Sequence, residues 1–168
     1  IRLPNAMDGV PHLTQPPVPP GGRFQYAFRL PDAGTFWYHP HANSAGQLGR
    51  GLYGALVVEE PDPPPCDRDV VWVLADFRLD REARIRPEFD DRFDASHAGR
   101  IGNTVTVNGR VAEQFALRAG ERVRLRLVNA ANARIFRLAF EGHAPVVIAL
   151  DGHPVEPYLA GSGLVLAP

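Results

Sequence analysis

The sequence alternates without exception between charged and aliphatic residues in one short stretch, Arg122-Val123-Arg124-Leu125-Arg126-Leu127. Successive side chains of a β-strand point to opposite faces, so this pattern places three arginines on one face and three aliphatic side chains on the other. We therefore expect a strand here, with its aliphatic face buried and its arginine face in water. Helical periodicity is hard to find elsewhere in the chain.

Other strand-like segments, bounded by Gly, Pro, Asn or Asp, lie on both sides of this stretch. They are Arg23 to Leu30, Thr35 to His41, Leu52 to Glu59, Asp69 to Phe77, Thr104 to Asn108, Arg134 to Phe140, Val146 to Leu150 and Leu164 to Leu166. Asn108-Gly109 and Ala119-Gly120-Glu121 supply hairpin turns. Short strands at this spacing predict an all-β sandwich or barrel.

Proline and charge divide the chain. A proline-rich stretch at residues 61–65 is interpreted as a stiff linker between two domains. Residues 78–103 crowd charged side chains together with little periodicity, which predicts a long, solvated surface excursion with room for a short helix.

Composition excludes several classes of partner. The 168 residues are 45% hydrophobic and 22% charged, with a formal net charge of -1, so no basic field is available to hold nucleic acid. The longest apolar runs, such as Ala144 to Leu150, are far too short for a membrane span. The single cysteine, Cys66, cannot form an internal disulfide and leaves the redox compartment open.

The stretch with the clearest chemistry is Gly34-Thr35-Phe36-Trp37-Tyr38-His39-Pro40-His41. Residues two apart on a strand share a face at roughly 6.5 to 7 Å, a spacing that lets His39 and His41 each bind one of two adjacent metals. Pro40 removes a hydrogen-bond donor and therefore favours a strand end or edge, where a metal can approach. Imidazole binds copper, zinc or iron, and two surface or hydrogen-bonded histidines remain an alternative.

Residues 34–41, followed by Gly49 to Pro61, resemble the second copper motif of the multicopper oxidases. In that family the two histidines bind the two type 3 coppers, one each, and the resemblance implies that role for His39 and His41. Upstream, residues 2–17 resemble the stretch that follows the family's first motif, His-Trp-His-Gly, which is absent here. Asp8 matches an aspartate that helps deliver protons to the trinuclear cluster, although Asp8-Gly9 alone would be read as a turn.

Downstream, residues 105–109, 125–130 and 150–155 resemble the second, copper-free domain of three-domain, laccase-like bacterial members. The resemblance implies an all-β, cupredoxin-like Greek-key β-sandwich. Residues 1–61 would be the C-terminal part of a first domain, and residues 62–103 a linker and excursion that include the first strand of the next domain. Residues 104–168 would be part of the second domain. We expect an internal fragment with both domains truncated.

The resemblance also implies a function for the parent protein. It would couple one-electron oxidation of a phenol-like substrate to the four-electron reduction of dioxygen to water. This chain would supply type 3 copper ligands, while the type 1 copper and the remaining ligands would lie outside it. The expected partners are dioxygen, a small reducing substrate and the missing parts of the same parent chain. The fragment alone is predicted to be inactive, and periplasmic or secreted placement follows from resemblance only.

Three alternatives differ from a laccase. An oxidase of cuprous ion would serve copper tolerance, although Met7 is the only methionine here. A non-enzymatic cupredoxin-like domain would have lost its copper chemistry. A copper nitrite reductase would carry His-Cys where this chain has His39-Pro40-His41, which argues against that reaction.

The remaining histidines and the cysteine are predicted to be structural or incidental. His12, His97, His143 and His153 form no pair with ligand spacing. Cys66 lies beside prolines without a neighbouring histidine, whereas a type 1 copper needs a thiolate and two histidines in a trigonal arrangement.

Overall fold

The computed structural model describes residues 1–168, and its regular secondary structure is mainly β-strand. In chain order the elements are a 3-10 helix Asn5–Met7, β1 Gly34–Tyr38, α1 Ser44–Leu48, β2 Gly54–Val58, β3 Arg68–Phe77, α2 Arg92–Ser96, β4 Thr104–Val107, β5 Val123–Asn129, β6 Phe136–Leu138, β7 Val146–Leu150, β8 His153–Leu159 and β9 Leu164–Leu166. The predicted all-β class is confirmed. None of the helices has the length and apolar character needed to cross a bilayer.

The strands form four small sheets. β1 pairs with β2 in antiparallel register, from Gly34 opposite Val58 to Tyr38 opposite Gly54. In the central sheet, of order β4-β3-β5, β3 is antiparallel to β4 and parallel to β5. β6 pairs with β9, and β7 pairs with β8 around an irregularity between Val147 and Ala149.

The fully buried core is small. Leu74, Ala131 and Phe136 form its centre, and half-buried aliphatic residues of β4, β6 and β9 pack against them. This cluster holds the central sheet against the β6–β9 pair. Because burial of apolar side chains is the main favourable term in folding, we expect this junction to contribute strongly to stability.

The strand predicted over residues 122–127 is present as β5, but the prediction that its arginine face lies in water is wrong. Arg122 is exposed, whereas the side chains of Arg124 and Arg126 are only 9% and 5% exposed. Both guanidinium groups meet carboxylates of other segments, Glu60 and Asp69. The alternation of arginine and aliphatic residues therefore predicted the strand correctly. The burial of its arginine side chains depends on carboxylates that lie far away in the sequence.

Two other strand predictions differ from the structure. Arg23 to Leu30 forms no strand, because no neighbouring segment pairs with its backbone and most of its side chains are exposed. The sequence does not predict β8, because Pro154 and Pro157 lack the backbone N–H groups that a strand donates to its neighbour. It lies in a two-stranded sheet, where one side of the strand needs no partner and proline is tolerated.

The excursion over residues 78–103 contains the short helix for which its sequence has room. Asp91 caps α2, because its carboxylate accepts hydrogen bonds from the backbone N–H groups of Phe93 and Asp94. Arg78 then forms a bidentate pair with Asp94 at 2.7 and 2.8 Å, and Arg100 donates to the carbonyl oxygens of Arg86 and Glu88. These bonds fold the excursion back onto itself.

Candidate metal centre

The two histidines of the motif lie immediately beyond the end of β1. The strand ends at Tyr38, and His39, Pro40 and His41 follow without regular secondary structure before the turn that leads into α1. Pro40 has no N–H to extend the ladder to β2, which explains why pairing stops here. The motif therefore occupies a strand end, as its proline predicts.

The rings of Trp37, His39 and His41 stack in a row. The centroids of Trp37 and His39 are 4.3 Å apart with planes 19° from parallel, and those of His39 and His41 are 4.9 Å apart at 24°. The side chains thus keep the two-residue period of β1 beyond the last residue that pairs with β2. Both imidazoles lie on the same side of the chain, as their spacing predicts.

The Nδ1 atom of His39 is buried and has no hydrogen-bond partner in the structure. A buried polar atom without a partner is costly, and nearly all such atoms in proteins are satisfied by protein, water or an ion. Imidazole nitrogens suit copper, so an unpartnered ring nitrogen beside a second imidazole fits a copper ion.

The two histidines are too few to complete a metal site within this chain. No group of three or more His, Cys, Asp or Glu side chains is positioned to hold a metal ion. A metal bound at His39 and His41 would therefore need ligands from solvent or from other segments of protein.

The segment that follows the histidines is held by residues far along the chain. Asn132 donates to the carbonyl oxygen of Ala45 at 3.1 Å, which ties α1 to the end of β5. The ring of Phe89, from the excursion, lies against Gly49 and between the guanidinium groups of Arg50 and Arg100, at 4.2 and 4.0 Å from its centroid. The backbone beyond His41 is therefore packed against two later segments.

The buried arginines of β5 connect the first sheet to the central sheet. Arg124 donates to both carboxylate oxygens of Glu60, which follows β2. Arg126 donates to both oxygens of Asp69 and to Thr35 Oγ1, each at 2.7 Å. Hydrogen bonding from these arginines lowers the pKa of Glu60 and of Asp69 below their ordinary values, although partial burial opposes the shift.

Asp8 lies in a different setting from the histidines. It is exposed, follows the 3-10 helix, and donates its backbone N–H to the carbonyl oxygen of Asn5 at 3.2 Å. Gly9 next to it has φ of +77°, the left-handed conformation of a turn, and a Cβ there would lie 3.0 Å from the hydroxyl of Tyr26. No side-chain bond joins Asp8 to His39 or His41, so the structure shows a turn and proton delivery stays a prediction.

The residues predicted to be structural have ordinary surroundings. Cys66 is exposed. His97 stacks on Phe93 with centroids 3.9 Å apart, His143 is exposed, and His153 begins β8. His12 has φ of +65° and closes a small backbone loop by donating to Gln15 O at 2.8 Å. None of them lies in the row of rings.

Sequence reasoning missed the stacking of Trp37 on His39 and the hydrogen bond from Arg126 to Thr35 on the same strand as Trp37. Trp37 and Thr35 share the two-residue period of His39 and His41, a signal that was available in the sequence. Arg126 was assigned to a solvent-facing strand surface, and no local pattern indicates that its guanidinium reaches Thr35, 91 residues away.

Comparison with known proteins gives a consistent result. A family model described as multicopper oxidase matches residues 1–63, and a second model of the same description matches residues 68–162. The chain is 32% identical to multicopper oxidase MmcO of Mycobacterium tuberculosis, over 94% of this chain and 36% of that protein. It is 34% identical to Laccase-1 of Botryotinia fuckeliana, over 98% of this chain and 30% of that protein.

Solved structures agree with the sequence matches. The multi-copper oxidase from Pseudomonas thermotolerans superimposes with a TM-score of 0.94 at 45% identity, over 100% of this chain and 41% of that one. Lac15 from a marine microbial metagenome gives 0.80 at 43% identity, over 99% and 40%. The fold is thus the predicted cupredoxin-like β-sandwich. The chain spans about a third of the length of the curated relatives named above.

Proposed function

Because this chain belongs to the multicopper oxidase family, we propose that it forms part of a laccase-like oxidase in which His39 and His41 each bind one copper of a type 3 pair. The observation that carries the proposal is the pair of stacked imidazoles at the end of β1, one with a buried, unpartnered Nδ1. Neutral imidazole is a good copper ligand, and two rings held side by side suit two adjacent ions.

Bound copper would supply a one-electron redox couple. Four single-electron oxidations of substrate would then match the reduction of one dioxygen by four electrons and four protons. The residues of this chain would prepare the site. Trp37 holds the plane of the His39 ring by stacking, and Pro40 ends the pairing with β2 just before His41, which is exposed. Asp8 would hand protons toward the site, since an exposed carboxylate exchanges protons with water and can relay them inward.

The type 1 copper and the other cluster ligands are proposed to come from sequence outside these 168 residues. Cys66 is exposed, and no cluster of three ligating side chains is present. Since electrons would enter through the type 1 copper, this chain alone should show no oxidase activity.

The proposed reducing substrate is phenol-like, because relatives of similar identity include proteins named laccase. Another relative is named iron transport multicopper oxidase FET3, from Candida albicans, at 32% identity over 93% of this chain and 25% of that protein. Oxidation of a metal ion, such as cuprous ion, is therefore the competing activity.

We also propose that the protein is periplasmic or secreted.

The test uses the full-length, copper-reconstituted protein, its His39→Ala and His41→Ala variants, and His143→Ala as a control for loss of an exposed histidine. We expect copper content and near-ultraviolet type 3 absorption to fall in the two motif variants, with loss of oxygen uptake. His143→Ala should behave like the parent. A parent that holds no copper would support the non-enzymatic alternative. Unchanged copper in both motif variants would remove the ligand assignment.

Oxygen uptake with a phenol, ferrous ion and cuprous ion, each as sole reductant, then distinguishes the substrates. A kcat/KM that is highest for the phenol would support the laccase-like reaction. A clear preference for either metal ion would replace it.

A further inference from the structure

The strand that carries the histidine pair has little support from its own sheet. The backbone of β1 pairs only with β2, and a two-stranded sheet is marginally stable by itself. Its position must therefore be fixed by other segments. In this structure those contacts come from β5 and from the turn between β7 and β8.

The contact from β5 is a buried guanidinium group that donates one hydrogen bond from each of its three nitrogens. The side chain of Arg126 is 5% exposed, and its Nε and Nη2 atoms donate to the two oxygens of Asp69. The remaining Nη1 atom donates to Thr35 Oγ1 at 2.7 Å. The bidentate bond to Asp69 fixes the plane of the guanidinium group, so the position of its Nη1 atom, and with it the hydrogen bond to Thr35, is also fixed.

The other face of β1 is contacted by backbone. A Cβ added to Gly34 would lie 2.5 Å from the carbonyl oxygen of Gly152, and a Cβ added to Gly152 would lie 2.8 Å from Phe36 Cε1. The turn between β7 and β8 therefore rests directly on β1. With Arg126 on one side and Gly152 on the other, the strand has little freedom to slide or rotate.

Thr35 begins the row of side chains that ends at the histidines. Residues 35, 37, 39 and 41 follow the two-residue period of β1, and the last three stack ring on ring. A displacement of Thr35 would be passed to Trp37 through the strand, and to His39 through the stack.

We infer that Arg126 is a positioning residue for the His39–His41 pair and acts through Thr35. The inference rests on the proposed function only for the identity of the metal. On this inference, β5 helps to set the positions of the two histidines, although β5 contributes no copper ligand itself.

The test compares three variants of the full-length protein. Thr35→Val keeps the branched shape and removes the acceptor, Thr35→Ser keeps the acceptor, and Arg122→Gln removes the exposed arginine that directly precedes β5. The first readout is the histidine ring resonances of the copper-free protein by NMR. We expect those of His39 and His41 to shift in Thr35→Val and to stay at parental positions in Thr35→Ser and Arg122→Gln.

The second readout is copper itself, added to the same three proteins. We expect Thr35→Val to bind copper about tenfold more weakly, and to show paramagnetic copper signals that a coupled pair in the parent would hide. Parental ring resonances and parental copper spectra in Thr35→Val, with only a lower melting temperature, would overturn the inference. A parent without a coupled copper pair would instead overturn the proposed function, and the ring resonances would still decide whether Arg126 positions the histidines.

Discussion

At the scale of single residues, the most enclosed of the ion-paired carboxylates is Asp76 on β3, whose side chain is 1% exposed. Its Oδ2 atom accepts from Arg134 Nε at 2.8 Å and from the backbone N–H of Gly102 at 2.6 Å, and its Oδ1 atom has no partner. A buried carboxylate is tolerated only when paired. Asp76 thus ties the excursion and the approach to β6 to the central sheet.

Replacement of Asp76 by Asn should lower the free energy of unfolding by about 2 to 3 kcal/mol, because Arg134 and the Gly102 N–H would lose a charged acceptor. Denaturant unfolding measures this change. Glu88→Gln, which removes a carboxylate from the exposed Arg86–Glu88 pair, is the control and should have little effect. Equal effects of the two substitutions would show that the buried pair of Asp76 and Arg134 stabilises the fold no more than an exposed pair.

Local geometry could be predicted from the sequence, whereas contacts with distant partners could not. The strand end and the shared face of His39 and His41 follow from their spacing and the proline between them, while their role as copper ligands stays a prediction. Asp76 lies in the predicted strand Asp69 to Phe77, but its enclosure depends on Arg134, 58 residues later. No local periodicity contains that information.

At the scale of elements, strand prediction worked where alternation or β-branched residues met clear turn signals. β2, β4, β7 and β9 lie within one or two residues of their predicted bounds. α1 was missed because five residues, Ser44–Leu48, are too few to show helical periodicity. Residues 23–30 have strand composition, yet composition does not provide a partner strand.

The junction between α1 and the excursion gives a second prediction. Gly49 has φ of -67°, so alanine fits its backbone, but a Cβ there would collide with the edge of the Phe89 ring and lie 2.7 Å from Asn132 Nδ2. We expect Gly49→Ala to cost about 1 to 3 kcal/mol of stability from overpacking. Chemical denaturation of the variant measures it.

A double-mutant cycle with Phe89→Ala is the control for that prediction. Removal of the ring should relieve the clash, so the two substitutions together should cost less than the sum of their separate costs. Additive costs would show that Phe89 does not press against Gly49 in solution. The excursion would then be free of the segment that follows the histidines.

At the scale of the whole molecule, Arg124 of β5 pairs with Glu60 after β2, and Arg126 pairs with Asp69 within the central sheet. The two carboxylates make these contacts sensitive to acid. Hydrogen bonds from Arg124 and Arg126 hold the pKa of Glu60 and of Asp69 below their ordinary values of 4.5 and 3.8. Above those values both groups are charged in the folded and the unfolded chain, and the pairs contribute fully. Below them the unfolded chain takes up protons first, which favours unfolding.

We therefore expect the free energy of unfolding to fall as pH drops below about 4.5, and to fall less steeply in Glu60→Gln, which cannot be protonated. Unfolding midpoints measured across this acid range test the prediction. Glu82→Gln, at an exposed carboxylate beside Arg84, should keep the steeper parental dependence. The same slope in Glu60→Gln and the parent would show that Glu60 does not carry the acid response.

The bonds from β5 also bear on how related proteins can be recombined. Thr35 and Glu60 precede the proline-rich stretch at residues 61–65, whereas Asp69, Arg124 and Arg126 follow it. A chimera joined at that stretch takes the hydroxyl of Thr35 and the carboxylate of Glu60 from one parent. It takes the guanidinium groups of Arg124 and Arg126 from the other. Such an exchange preserves the interface only if the parents agree at positions 35, 60, 124 and 126. A library of hybrids should therefore be sorted by these four positions before overall identity is considered.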